Sequence, residues 1–224
     1  MKQYYLLFFC GFATLFGSCK STTGSDPLSQ SPETASIDQF FPVAYGDYWI
    51  YDSQSFDSTG LNPRVTRTVE IIDSQMNLGH ESFTVSDNGN NPYSAYYFSG
   101  TGVYGIPNLV VKPAISSSYL VLRSPMSIGE KLVLMDTMIE DVRLKRELIF
   151  KGNGESVTVP AGTFSCCRYE STLLYASPAY IDTAEIAESY YAPEVGLVEV
   201  KRYDKTGIVL TSIDQLTSYR VNGN

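Results

Sequence analysis

The chain has 224 residues, 16 basic and 24 acidic side chains, a single histidine and a formal net charge of −8. So acidic a surface keeps a domain soluble, and it excludes the electrostatic footprint of a nucleic-acid binder or of a domain held to anionic lipid by charge. Hydrophobic residues make up 43% of the chain, enough for one sizeable core, and a single β domain of about 185 residues lies within the ordinary range.

Residues 1–18 read as a secretion signal. Lys2 supplies the positive start, Tyr4 to Phe16 an apolar run, and Gly17-Ser18 the small residues before a cut. The run is too short for a transmembrane helix, which needs about 20 residues to cross the hydrocarbon. The stretch Leu15-Phe16-Gly17-Ser18-Cys19 resembles the bacterial lipobox, although the usual pattern has Leu where Phe16 stands. That resemblance implies diacylglycerol on Cys19, cleavage before it and acylation of the new amino terminus. The alternative is an ordinary cleaved signal with Cys19 as a bystander. Lys20 follows, rather than the aspartate that resembles an inner-membrane retention signal, so the expected address is the outer membrane of a Gram-negative envelope. Several acyl chains hold a protein on a membrane, where one does so only weakly.

Residues 19–36 then form the lipidated cysteine and a Ser/Thr/Pro tether. Such a composition cannot bury enough surface to offset its chain entropy. As a coil of about 16 residues it spans on the order of 20–25 Å.

From Ile37 to Asn224 the chain reads as short alternating strands. Val65 to Ile71, Tyr119 to Leu122, Leu132 to Met135, Met138 to Phe150, Ser156 to Val159, Cys167 to Tyr175, Val195 to Tyr203 and Ile208 to Ile213 carry the period-2 pattern of half-buried strands. Asp87 to Pro92, Lys151 to Gly154 and Asp204 to Gly207 mark turns at hairpin spacing. Ser177 to Glu188 allows one short amphipathic helix, with Pro178 near its start. The expected fold is all-β: a single antiparallel curved sheet or open half-barrel with at most one short helix.

Candidate chemistry is sparse. His80 lies in a turn-like Asn77-Leu78-Gly79-His80-Glu81, and no Gly-x-Ser-x-Gly elbow accompanies it. One histidine without clustered cysteines does not make a zinc or copper site, no Asp-rich calcium loop is present, and Asp87 to Asn91 reads first as a turn. No metal, cofactor or catalytic set is expected, and an enzyme is the less favoured reading. Cys166 and Cys167 are adjacent. In a regular strand one thiol is buried and the other exposed; the sharper alternative is a strained vicinal disulfide. Tyr93, Tyr96, Tyr97 and Tyr104 crowd one region, and aromatic faces with polar tips suit sugars or amphipathic ligands, although tyrosine is also a favoured strand residue.

Three motifs stand in order: Phe41-Pro42-Val43-Ala44-Tyr45-Gly46-Asp47-Tyr48-Trp49-Ile50-Tyr51, then Val157-Thr158-Val159-Pro160-Ala161-Gly162-Thr163-Phe164, then Tyr190-Tyr191-Ala192-Pro193-Glu194-Val195-Gly196-Leu197-Val198-Glu199. Together, over roughly residues 40–218, they resemble secreted bacterial proteins related to the DUF3108 domain and the TapB-like proteins. The resemblance implies a curved antiparallel sheet or open barrel, similar to periplasmic lipoprotein carriers, with no activity or catalytic residues to carry over. On their own terms, Pro160 ends a strand, Gly162 adopts positive φ, Gly196 allows close packing and Trp49 closes one end of the core. The leading expectation is a lipid-anchored envelope protein whose β domain binds an apolar or glycan ligand, or an envelope protein partner, without catalysis. Two alternatives are a glycan hydrolase using dispersed carboxylates such as Asp136, Glu140 and Glu170, and a structural subunit of an envelope assembly.

Overall fold

The computed structural model describes residues 36–57, 60–77, 79–107, 118–139, 141–177 and 180–222. The secretion signal, Cys19, the tether up to residue 35, Pro178 and Glu140 lie outside these residues. So do the side chains of residues 90–93, Tyr93 among them.

The described chain opens on a single helical turn, α1 (Ile37–Phe40). Ser36 caps it, its backbone N–H donating to Gln39 Oε1 at 2.9 Å. Strands follow in chain order: β1 (Tyr48–Asp57), β2 (Gly60–Leu61), β3 (Val65–Asn77), β4 (His80–Asp87), β5 (Asn90–Ser99), β6 (Gly102–Pro107), β7 (Tyr119–Arg123), β8 (Lys131–Ile139), β9 (Val142–Val159), β10 (Gly162–Ser177), β11 (Tyr180–Ala192), β12 (Gly196–Tyr203) and β13 (Leu210–Arg220). They make one antiparallel sheet of 13 strands in the order β7-β6-β5-β4-β3-β1-β13-β12-β11-β10-β9-β8, with β2 paired to β1. First and last strands meet in the middle, Tyr48 opposite Arg220 and Ser55 opposite Ser212. The expected all-β curved sheet is therefore the observed fold.

The sheet curls until its edges, β7 and β8, approach each other, and the connection between them closes the gap. Gly129 N–H donates to Phe150 O at 2.8 Å, Phe150 N–H to Glu130 O at 3.1 Å, and Ser124 N–H to Thr101 O at 3.0 Å. Sheet edges present unpaired backbone groups, and near-closure into a barrel removes most of that liability.

Up-and-down connectivity puts alternate turns at opposite ends. One end gathers the start of the domain, the Pro160-Ala161 turn, residues 193–195 and the C-terminus. Glu194 N–H donates to Gln39 O at 2.7 Å there, and Ala161 N–H to Leu216 O at 3.0 Å. Asp47, fully buried, accepts from Ala44 N–H at 2.7 Å, Asn222 N–H at 2.7 Å and Asn222 Nδ2 at 3.0 Å. Burial pushes its pKa up against those hydrogen bonds. Ile37 and Phe40 turn into the sheet and pack with Val103, Leu122, Phe150 and Tyr169. The helix is thus a plug of the barrel.

The structure corrects four expectations. Residues 180–188 are strand, not helix. They pair with β10 from Tyr180 opposite Ser177 to Tyr191 opposite Cys167, and from Ile186 onward with β12 on the other side. Ladder pairing outweighs the weak helical preference of Ala184-Glu185-Ile186-Ala187. Lys151 to Gly154 is not a turn: β9 runs through it, and Gly154, at φ +72°, serves a bulge. The apolar–polar run from Met138 to Phe150 is not one strand, because β8 ends at Ile139 and β9 begins at Val142.

Finally, both thiols are free and buried, Cys166 at 0% and Cys167 at 2% exposure. The bulge explains it. The register slips between Cys166 and Tyr169, so alternation is reset there and both thiols fall on the inner face. Cys167 packs with Phe150 and Tyr169, and Cys166 packs with Val157, Phe164 and Val198. The Pro160-Ala161 turn, Gly162 at φ +142° and the Asn88-Gly89 turn between β4 and β5 fall where expected.

Candidate functional site

Trp49 and Tyr51 share the inner face of β1, with Val69 across from Trp49 and Arg67 across from Tyr51 on β3, and Ile71 two residues beyond Val69 on the same face. Val85 on β4, Tyr96 on β5 and Tyr191 on β11 continue the wall around the curl. Together they line a part-open pocket of about 170 Å³, with Phe41, Pro42 and Val43 along one side. Trp49, Tyr51, Ile71 and Val85 are each at most 6% exposed. In volume it matches an apolar cavity of ~150 Å³ that takes a benzene-sized guest.

The polar tips of the two aromatic walls on β1 are satisfied away from the pocket. Trp49 Nε1–H donates to Val195 O at 2.6 Å and Tyr51 O–H to Leu197 O at 2.9 Å, so both polar tips are spent on the start of β12. Gly196 lies between Val195 and Leu197 at φ +89°, a backbone conformation that residues with a Cβ rarely adopt. Opposite Tyr96 on β6 is Gly105, where a Cβ would sit 2.8 Å from the Tyr119 ring. Tyr96 also meets Phe41 edge to face at 5.1 Å. Burial holds the Tyr51 and Tyr191 hydroxyls neutral, pushing both pKa values well up.

The cavity has one charged wall. Arg67 of β3 and Asp87 at the end of β4 both line it. Arg67 donates from Nε and Nη2 to the Asp87 carboxylate at 2.8–3.1 Å. Its Nη1 lies 3.8 Å from Asp214, which in turn accepts from Arg202 Nη1 at 2.8 Å. Two cations and two carboxylates thus balance. Burial works against the Arg67 charge, but Asp87 and Asp214 more than offset it and raise its pKa. Ser53 lies directly across from Asp214 in the ladder, and its buried Oγ has no hydrogen-bond partner among the described residues.

The tyrosines singled out in the sequence divide. Tyr96 lines the cavity. Tyr97 and Tyr104 are on the other face of the sheet, paired across β5 and β6 and stacked at 5.3 Å, with His80 stacked on Tyr97 at 4.9 Å. Tyr97 is thus stacked between His80 and Tyr104, which takes its faces away from a sugar. Cys19 and the Tyr93 side chain lie outside the described residues. Among the proposed carboxylates, Asp136 faces Arg143 at 2.6 Å, which holds its pKa below the usual range, and Glu170 faces Lys151 at 3.0 Å. Asp136 is level with Lys145 and Leu174, four positions from Glu170 along β10. At ~3.3 Å per residue and ~4.8 Å per strand the two are about 16 Å apart, whereas paired glycosidase carboxylates stand within about 10 Å. Among the described residues no group of three or more His, Cys, Asp or Glu side chains gathers.

Three comparisons bear on the chain. The model of the DUF3108-like family matches residues 135–216. The resemblance carried by the Val-Pro-Ala-Gly-Thr-Phe turn and the Tyr-Ala-Pro-Glu-Val-Gly-Leu-Val strand is therefore borne out over the second half of the chain; the opening motif lies outside that match. A protein from Bacteroides fragilis NCTC 9343 with a YmcC-like fold, described as exported, superposes with a TM-score of 0.51 at 15% identity, over 81% of this chain and 98% of its own. That likeness establishes the fold. A protein from Parabacteroides distasonis ATCC 8503 described as a lipoprotein gives a TM-score of 0.49 at 17% identity over the same shares. No curated protein matches.

Proposed function

We propose that the chain is an exported, lipid-anchored envelope protein whose barrel holds a small apolar ligand in its interior cavity without transforming it. One observation carries the ligand reading: a part-open pocket of about 170 Å³ inside the curl, walled by Trp49, Tyr51, Ile71, Val85 and Tyr96. A core without a guest closes to native density, and unfilled volume costs stability. A cavity retained inside a barrel is a common form of ligand site. The dispersed-carboxylate alternative loses support from the separation of Asp136 and Glu170.

The anchor reading rests on Lys2, the apolar run and Gly17-Ser18-Cys19. The exported relative of the same fold agrees with it. Fatty-acid labelling of cells tests the anchor: label is expected on the wild-type chain and absent from Cys19→Ala. Label on the variant, or none on the wild type, removes the anchor. Separation of the two membranes on a density gradient then tests the outer-membrane address that Lys20 favours. Native mass spectrometry of the full chain tests the cavity. A non-covalent adduct of small mass is expected, and bare protein under every condition would end the ligand reading.

A further inference from the structure

We infer that the ligand is an uncharged amphiphile. A ring-sized apolar body would occupy the cavity, and a neutral hydrogen-bonding head would face Arg67. This deepens the ligand reading above and rests on it.

The argument starts from charge. Arg67 and Arg202 against Asp87 and Asp214 leave the polar wall with no net charge. A carboxylate guest would meet Asp87 at the wall, with Asp214 behind it, and an ammonium guest would meet Arg67. Either brings an unpaired charge into a site already balanced, and desolvating such a charge is costly. A neutral head adds none.

Hydrogen-bonding capacity comes next. A guanidinium has five N–H donors. Asp87 occupies Nε and Nη2. Among the described residues, Nη1 has only Asp214, at 3.8 Å, beyond hydrogen-bond range. Arg67 therefore keeps donor capacity at the cavity wall, while its position is fixed by the fork to Asp87. A hydroxyl, ester or amide oxygen accepts from it without disturbing the ion pair. Lastly, size limits the body: a cavity of about 170 Å³ suits a single ring or a short branched chain, not a long acyl tail in full.

The test uses three isosteric probes, benzyl alcohol, benzoate and benzylamine, titrated into the full chain carrying Cys19→Ser in detergent-free buffer. Trp49, the only tryptophan and part of the cavity wall, reports occupancy through its emission. Benzyl alcohol is expected to bind at least about tenfold more tightly than either charged probe. Asp87→Asn leaves the wall positive and is expected to shift preference to benzoate; Arg67→Met leaves it negative and shifts preference to benzylamine. Urea midpoints and far-ultraviolet circular dichroism confirm that each variant is folded. If all three probes bind but the ranking differs in the wild type, or survives unchanged in both folded variants, the head-group inference falls while the cavity stands. If no probe binds the wild type, the cavity reading falls with it.

Discussion

Val85 offers a test in which the sign of the effect depends on the cavity being real. It is 3% exposed, stands on β4 and faces the empty space. Val85→Leu adds one methylene. In a filled core that insertion costs about 1–3 kcal/mol through forced rotamers. Beside about 170 Å³ of unoccupied volume it should instead gain up to about 0.8 kcal/mol of apolar burial. In a domain of this size that raises Tm by roughly 2–3 °C. Val85→Ala works the other way: two carbons of transfer energy are lost and the void grows, for about 2–3 kcal/mol. Urea unfolding followed by circular dichroism gives both values, and an unchanged slope shows that the native state stays compact. A Val85→Leu variant destabilised by 1 kcal/mol or more would mean that the space beside Val85 is already full, and the cavity argument would fail.

Phe40→Ala should cost about 3–5 kcal/mol, because Phe40 is 1% exposed; a loss below 1 kcal/mol in chemical denaturation would show that α1 is an appendage and not a plug. Asp47→Ala strips the acceptor shared by Ala44 and Asn222 and should cost about 2 kcal/mol, with faster proteolysis near residue 44 as the readout. Cys166 and Cys167 should resist iodoacetamide in the native protein and both react on unfolding, as peptide mapping would show; a peptide carrying a Cys166–Cys167 bridge would contradict the free thiols. Burial pushes the Cys166 thiol up to about 12 from an unfolded value of 9.0, so the folded state holds its proton more tightly than the unfolded one. The sign follows: this stability is whole below pH 9 and drains away as pH rises toward 12, by about 4 kcal/mol for a shift of that size. Tyr51 and Tyr169 are shifted upward by burial too and add to the same trend. Stability that holds level from pH 9 to 11 would refute it.

The legible parts of this fold are those fixed by local backbone chemistry. Pro160, which cannot donate into a ladder, and Gly162, free of a Cβ, ended and restarted strands where their chemistry requires. Asn88-Gly89 made the two-residue hairpin that its tolerance of positive φ favours. What local pattern could not convey was context. Gly152 and Gly154 look the same whether they close a turn or relieve a bulge, and only the pairing of β9 with β10 decides. Ala184-Glu185-Ile186-Ala187 is helix-compatible until β10, and from Ile186 β12 as well, claims it. The adjacent cysteines defied alternation because the register slips at the bulge beside them.

The site was half legible. Aromatic crowding around Tyr96 was visible, but the faces separating Tyr96 from Tyr97 and Tyr104 emerge only once β5 is placed in the sheet. Arg67 was passed over, although the sequence held a signal. It sits in the apolar phase of β3, two residues from Val65 and Val69, where a solvated arginine does not belong. Asp214, two residues from Leu216 in β13, carries the same mark. Charged residues in the buried phase of a strand are the pattern that would have pointed to the polar wall.

The most direct measurement is a titration of the full Cys19→Ser chain with toluene, a guest of the size the cavity fits, followed by Trp49 emission. A saturable change is predicted for the wild type, abolished in Val85→Phe, whose ring would occupy the space. A response that never saturates, or one that persists in a folded Val85→Phe variant, would contradict an interior ligand site.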